Sequence, residues 1–124
     1  MPCIITYLCS AILFAGISVE QYPAKRLLYI FGKPGNELLV QQQIRLLDDE
    51  KEGIREREIL VMPVENNERL QQQFNVPPGR FTVILVGKDG TEKYRTDSLL
   101  APKALFAIVD AMPMRKAEMK KQQQ

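Results

Sequence analysis

Three runs of apolar residues punctuate the chain, and each has the length of a β-strand. They cover residues 27–31, 59–62 and 81–86, and the third is rich in β-branched side chains. Strands that are buried on both faces of a sheet have such continuous apolar runs, without the polar alternation of a half-exposed strand. The pattern therefore predicts three strands in the centre of the fold.

A first helix is predicted between the first and second strands. Val40, Ile44 and Leu47 recur at intervals of three or four residues, which places them on one helical face. Asn36 is a favourable residue to cap the start of this helix, and Gly53 is a natural stop at its end. The expected helix extends from Asn36 to about residue 52.

Two further helices are predicted nearer the carboxyl terminus. Residues 67–74 form a short one, and a longer one begins at Pro102, which suits the first turn of a helix. Pro113 is expected to end the last helix, because proline interrupts the helical hydrogen bonds. Residues 115–124 are polar and are expected to form a frayed tail.

The third strand is followed by a hairpin. Residues 88–90, with the sequence Lys-Asp-Gly, are a turn signal, and residues 92–95 return as a more polar edge strand. The element order is then β-α-β-α-β-β-α. A parallel strand pair joined by a helix, followed by an antiparallel hairpin, predicts an α/β fold. We expect a thioredoxin-like core, with a four-stranded mixed sheet and helices on both faces, as a single domain over residues 19–124.

The first 18 residues carry no charged side chain and are mostly apolar. The apolar stretch is shorter than the roughly 20 residues of a membrane span and suits a secretory signal peptide. Gly16 and Ser18 are small residues at the positions that a signal peptidase reads, which predicts cleavage before Val19. We expect a secreted protein, periplasmic or extracellular. Because no Lys or Arg precedes the apolar stretch, an uncleaved membrane anchor and a buried N-terminal element are the alternatives.

Cysteine and histidine set the limits on chemistry. Both cysteines, Cys3 and Cys9, lie in the predicted signal, and the chain has no histidine. A mature chain beginning at Val19 has no thiolate for disulfide exchange or peroxide reduction. It also has no imidazole for a Ser-His-Asp triad or for most zinc sites. We expect no cofactor, no metal and no catalysis; an enzyme or redox accessory protein that works without thiols is the alternative.

Several segments resemble the DUDES domain, a thioredoxin-like domain of unknown function. This domain occurs in sushi-repeat-containing secreted proteins and in short exported bacterial proteins. The similar segments are residues 26–31, 83–90, 93–95 and 108–115. The sequence Asp-Ala-Met-Pro-Met-Arg at residues 110–115 is the most specific of them. The resemblance covers residues 25–119 and implies a thioredoxin-like or peroxiredoxin-like fold, an exported location and no established reaction.

A small electropositive cleft is the first candidate site. The loop between the first strand and the first helix places Lys33 and Asn36 near a helix N-terminus, which favours anions. In a thioredoxin-like topology the turn before the third strand, with Arg80 and Thr82, lies opposite that loop. These four residues predict a cleft for a small anionic ligand or a protein partner. A plain turn with surface cations is the alternative.

The C-terminal tail is the second candidate site. Arg115, Lys116, Lys120 and Lys121 accompany a single acid, although the whole chain has a formal charge of only +2. Such a tail suits a polyanion such as a glycosaminoglycan. No aromatic residues are interleaved with the cations, so nucleic-acid recognition is not expected. A solvated tail is the alternative. The function predicted is an exported, non-catalytic binding module whose partner and oligomeric state the sequence leaves open.

Overall fold

The computed structural model describes residues 25–123, which form an α/β fold around one four-stranded sheet. The elements are β1 Arg26–Phe31, α1 Glu37–Asp48, α2 Lys51–Glu56, β2 Ile59–Pro63, α3 Glu68–Gln73, β3 Thr82–Val86, β4 Glu92–Thr96, α4 Pro102–Asp110 and α5 Pro113–Gln122. β1 pairs in parallel with β2 and antiparallel with β3, and β4 extends the sheet beyond β3. The order β2-β1-β3-β4 confirms the predicted mixed sheet. The prediction that residues 59–62 form a buried central strand is wrong, because β2 lies at an edge of the sheet and Leu60 is 43% exposed.

Side chains of the central strands alternate between two apolar layers. Leu28 of β1 and Leu85 of β3 point to the face covered by α1, α2 and α4. Phe31 of β1 and Ile84 of β3 point to the opposite face, where Phe74 packs just after α3. Helices therefore cover both faces of the sheet, as predicted. Because every residue of β3 is buried, the apolar sequence of residues 83–86 matches the place of this strand in the sheet.

The predicted first helix is two helices in the structure. α1 ends at Asp48, a short break follows, and α2 contains Gly53 in its interior. The prediction that Gly53 stops the helix is wrong. A Cβ atom on Gly53 would lie only 2.6 Å from the ring of Phe106 in α4, so glycine is required for close packing. Asn36 precedes α1 but makes no side-chain capping hydrogen bond.

The prediction of a frayed C-terminal tail is also wrong. α4 ends at Asp110, and Pro113 is the first residue of α5 rather than the end of the helix before it. Proline suits this first position because its missing N–H would have no helical partner there. Arg115 is only 1% exposed, which shows that α5 packs against the body of the fold.

The predicted signal peptide, with Cys3 and Cys9, lies outside the described residues. Within residues 25–123, no helix is long and apolar enough to cross a bilayer.

Candidate functional site

The loop after β1 and the loop before β3 lie against each other, as the sequence predicted. The Asn36 side-chain amide donates a hydrogen bond to the carbonyl oxygen of Gly79. Gly79 has a φ of +77°, and a Cβ atom there would lie 2.8 Å from the carbonyl oxygen of Pro34. Both the backbone conformation and this close approach require glycine. The contact fixes the separation of the two loops.

The four residues of the predicted anion cleft do not converge on one point. Lys33 forms an ion pair with Glu65 at 2.5 Å, and Arg80 lies 4.0 Å from Asp97. Thr82 is buried, and its hydroxyl donates a long hydrogen bond of 3.5 Å to the Arg80 carbonyl oxygen. Arg80 and Thr82 line a separate cavity of about 360 Å³ that neither Lys33 nor Asn36 borders. Anion binding by these residues stays a prediction.

An acidic side chain of the chain itself already occupies the start of α1. Glu37 accepts a hydrogen bond of 3.0 Å from the backbone N–H of Gly35. This hydrogen bond lowers the pKa of Glu37, and the nearby Lys33 ammonium acts in the same direction. An external anion at this position would have to displace a carboxylate that is favoured there by both hydrogen bonding and the helix dipole.

A broad groove lies beside the two contacting loops. It has a volume of about 810 Å³, and we call it the amide groove. Its lining consists mainly of side-chain amides and prolines: Pro34, Asn66, Glu68, Gln71, Gln72, Asn75, Val76, Pro77 and Pro78. Side-chain amides both donate and accept hydrogen bonds and do not ionise. The groove therefore combines a larger apolar surface with polar groups that, apart from the Glu68 carboxylate, do not ionise.

An ionic cluster occupies the opposite end of the sheet. It joins four cations and four acids: Arg26, Arg57, Lys88, Arg115, Glu56, Glu58, Asp110 and Glu118. Its charges balance, which is what burial of the two arginines Arg26 and Arg115 requires. Hydrogen bonds from these arginines to the backbone carbonyl oxygens of Arg57 and Glu56 complete the cluster.

Asp110 is held between two arginines. Arg57 donates two hydrogen bonds to its carboxylate, at 2.9 and 3.0 Å, and Arg115 donates a third at 3.2 Å. Chiefly through Arg57, these bonds lower the pKa of Asp110 against the opposing effect of burial. The Arg57 guanidinium also lies 4.0 Å from the centre of the Phe106 ring. Asp110 pairs with Arg115, and this ion pair attaches α5 to α4.

Glu118 of α5 is the second acidic centre of the cluster. Burial alone would raise its pKa, but hydrogen bonds from Lys88 at 2.8 Å and from Arg26 lower it overall. The same pairing raises the pKa of Lys88, although burial of the ammonium opposes that shift. Lys88 also donates to Glu58. Glu118 and Lys88 therefore both stay charged near neutral pH.

The predicted polyanion tail is divided by this arrangement. Arg115 is buried in the ionic cluster and offers no charge to a polyanion. Lys116, Lys120 and Lys121 remain exposed on α5. Residues 25–123 contain no group of three or more acidic, thiol or imidazole side chains that could hold a metal ion.

Comparison with known proteins places the chain in a family. A family model described as a domain of unknown function (DUF4174) matches residues 20–118, and the chain belongs to this family. The chain is also similar to the sushi repeat-containing proteins SRPX of Rattus norvegicus and Homo sapiens, each 31% identical over 124 aligned residues. These matches cover 85% of this chain and 27% of each relative. The resemblance seen in the sequence to the domain of sushi-repeat proteins is confirmed.

A solved structure shares the fold. The structure of a malarial protein has a TM-score of 0.55 and 21% sequence identity, and the match covers 69% of this chain and 94% of that one. At this identity the likeness shows the α/β fold alone.

The ionic cluster is the feature that sequence reasoning missed. Its signal was present in the segments that carry the family resemblance. Lys88 comes from residues 83–90, and Asp110 and Arg115 come from residues 108–115. The structure brings these segments together at one end of the fold.

Proposed function

We propose that this protein is an exported, non-catalytic thioredoxin-like binding module that holds an extended segment of a partner protein. The amide groove is the observation that carries this proposal. It lies between the loop after β1 and the loop before β3, and side-chain amides from Asn66 to Asn75 line it. An extended polypeptide presents alternating N–H and C=O groups, which such amides match in both senses.

The prolines of the groove support the same proposal. Pro34, Pro77 and Pro78 give rigid apolar surfaces, and these lose little conformational entropy when a peptide packs on them. The Asn36–Gly79 hydrogen bond holds the two loops in place before any peptide arrives. A preformed groove lowers the entropic cost of binding.

The residues around the groove favour binding over catalysis. Residues 25–123 contain neither cysteine nor histidine, so a thiolate or imidazole cannot act there. The groove contains one carboxylate, that of Glu68, which is exposed. Export is supported by the uncharged apolar start of the chain, residues 1–18.

The test selects peptides on the purified protein from a phage-displayed library of random dodecapeptides. An enriched peptide, made synthetically, should shift the amide NMR signals of residues 66–79 and leave those of β4 unchanged. Replacing Gln71 and Gln72 by alanine should weaken its binding about tenfold, because each lost polar contact costs about 0.5–1.5 kcal/mol. Gln41→Ala, an exposed amide of α1, is the matched control and should have no effect.

Two results would refute the proposal. One is the absence of any enriched peptide, and the other is a peptide whose shifts fall outside the groove. The alternative, an enzyme that uses the predicted cleft at Lys33 and Arg80 without thiols, is distinguished from a binding module by its catalytic activity. It would lose turnover on Lys33→Ala or Arg80→Ala, whereas peptide binding in the amide groove would be unchanged in both variants, because neither residue lines the groove.

The exposed lysines of α5 favour polyanion binding as a second candidate function. Lys116 and Lys120 are four residues apart on one helical side, and Lys121 lies beside them. This function predicts retention on heparin that is lost when all three lysines become alanine. Deletion of residues after Pro113 is not a suitable test, because it also removes Arg115 and Glu118 from the ionic cluster.

A further inference from the structure

A second cavity lies beside the ionic cluster, far from the amide groove in the sheet topology. It has a volume of about 440 Å³ and is bordered by the β3–β4 turn and the corner between α4 and α5. We call it the corner cavity. Its lining includes the cations Arg26, Lys88 and Lys93 and the apolar residues Ile108, Met112 and Met114. The volume falls in the range of small-molecule sites.

The polar side of the corner cavity supplies donors and almost no acceptor. Arg26, Lys88 and Lys93 all carry N–H groups there. Lys88 donates to two carboxylates and Lys93 to one, so each ammonium, with three N–H groups, keeps at least one for a ligand. The only carboxylate in the lining is that of Asp89, and it already accepts hydrogen bonds from Lys93 and Thr91 at 2.8 to 3.0 Å. These bonds, chiefly that from Lys93, lower the pKa of Asp89 to about 2. A ligand that complements this side must bring acceptor atoms.

Arg26 is the fixed donor of the cavity. Its side chain is 1% exposed, and its two terminal nitrogens bond to the Arg57 carbonyl oxygen and to Glu118. Its Nε atom is buried and has no hydrogen-bond partner among the described residues. A buried donor without a partner is destabilising, and a ligand acceptor that reached this atom would remove that cost. The guanidinium is held in place before any ligand binds.

The other side of the corner cavity is apolar. Ile108 and Met112 are half-buried there, and Met114 is 51% exposed although it is a large hydrophobic residue. Methionine side chains are flexible and polarisable, so they adapt to apolar bodies of different shape. This side disfavours a fully polar ligand such as inorganic phosphate, since it would leave the apolar surface uncovered.

We propose that the corner cavity binds a small organic carboxylate with an apolar body. The carboxylate lies toward Arg26, Lys88 and Lys93, and the body lies on Ile108, Met112 and Met114. This binding is independent of peptide binding in the amide groove. The sequence Asp-Ala-Met-Pro-Met-Arg at residues 110–115 then has two roles. Its ends attach α5 through Asp110 and Arg115, and its middle forms the apolar wall.

The test follows methionine methyl and backbone amide NMR signals of the purified protein during titration with four probes. Hexanoate has both features of the proposed ligand. Hexan-1-ol keeps the apolar body without the charge, hexylammonium reverses the charge, and inorganic phosphate has the charge without the body. Hexanoate should shift the methyl signals of Met112 and Met114 and the amides of Lys88 and Lys93. Each of the other probes should bind at least tenfold more weakly.

Matched variants test the polar side. Lys93→Ala removes a cation at the edge of the cavity and should weaken hexanoate binding about fivefold, the upper range for a partly exposed charge pair. Lys103→Ala removes an exposed cation from α4 outside the cavity and should change nothing. Arg26→Lys keeps the charge but removes the Nε donor, and should weaken binding if the variant folds. If this variant does not fold, the comparison of Lys93→Ala with Lys103→Ala tests the proposal.

Three results would overturn the proposal. The first is equal binding of hexanoate and hexan-1-ol, which would remove the role of the carboxylate. The second is shifts confined to residues outside the corner cavity. The third is the same affinity in Lys93→Ala as in the unaltered protein.

Discussion

Glu118, near the carboxyl terminus, accepts two hydrogen bonds from Arg26, the first residue of β1, at 3.2 and 3.3 Å. The two residues are 92 positions apart in the chain. Arg26 is almost fully enclosed, and Glu118 also accepts from Lys88. This contact makes α5 part of the folded domain although Arg115 is the only residue of the helix that is buried.

Glu118→Ala should destabilise the protein by about 3 kcal/mol, because it leaves the buried Arg26 guanidinium without its charged partner. Urea unfolding of both proteins measures the difference. Glu52→Ala is the matched control: its ion pair with Arg55 is exposed on both sides and should contribute less than about 1 kcal/mol. Equal losses in the two variants would show that the ionic cluster is no stronger than a surface pair.

The ionic cluster should also set the acid limit of stability. The pKa values of Asp110 and Glu118 are lower in the folded protein than their ordinary values. Their stabilisation is therefore complete above about pH 4–5 and is lost as the pH falls through the folded values. The double variant Asp110→Asn, Glu118→Gln should lose less stability than the unaltered protein between about pH 5 and 2.

Urea midpoints measured across that pH range test this prediction. Asp97→Asn, which changes an exposed carboxylate outside the cluster, serves as the control. Its stability should fall with decreasing pH as steeply as that of the unaltered protein. An unaltered acid dependence in the double variant would show that other carboxylates govern it.

Gln43 should be essential for attaching the segment before α4 to α1. Its side-chain amide donates to the Leu100 carbonyl oxygen at 2.9 Å and accepts from the Leu100 N–H at 2.7 Å, and it is fully buried. Gln43→Leu leaves both backbone groups without a partner and should cost about 2–4 kcal/mol. Gln41→Leu, on the exposed side of the same helix, should change stability by less than about 0.5 kcal/mol. Thermal unfolding of both variants gives the comparison.

The intact mass of the protein from the exported fraction should correspond to a chain that begins at Val19. Such a mass would show that the mature protein has no cysteine, because Cys3 and Cys9 lie in the cleaved segment. Alkylation with iodoacetamide should then add nothing to the mass. A mass that retains residues 1–18 would instead favour the membrane anchor, and thiol chemistry would again be open.

The core strands could be predicted from the sequence because their signal is local. Strands covered on both faces need uninterrupted apolar residues, so residues 27–31 and 81–86 stand out without knowledge of their neighbours. The turn at residues 88–90 and the polar edge strand β4 were predicted for the same reason. A turn and an exposed edge strand can each be recognised from the residues of one short segment.

The candidate site was predicted only in part. Topology placed the loop with Asn36 opposite the turn before β3, and the Asn36–Gly79 hydrogen bond shows that contact. The acidic partners of the two cations were not predictable from the sequence. Glu65 pairs with Lys33 from 32 positions away, and Asp97 lies beside Arg80. The charges in a sequence do not by themselves reveal which cation will pair with which acid.

The sequence by itself determined the strands, their order and the absence of thiol and imidazole chemistry from residues 25–123. Only the tertiary structure decided that Arg26, Gln43 and Arg115 are buried. A polar side chain is buried when partners from distant segments satisfy its hydrogen bonds and charge. Each of the three has a partner at least 57 positions away, so no local pattern of polar residues distinguishes them from side chains that stay in solvent.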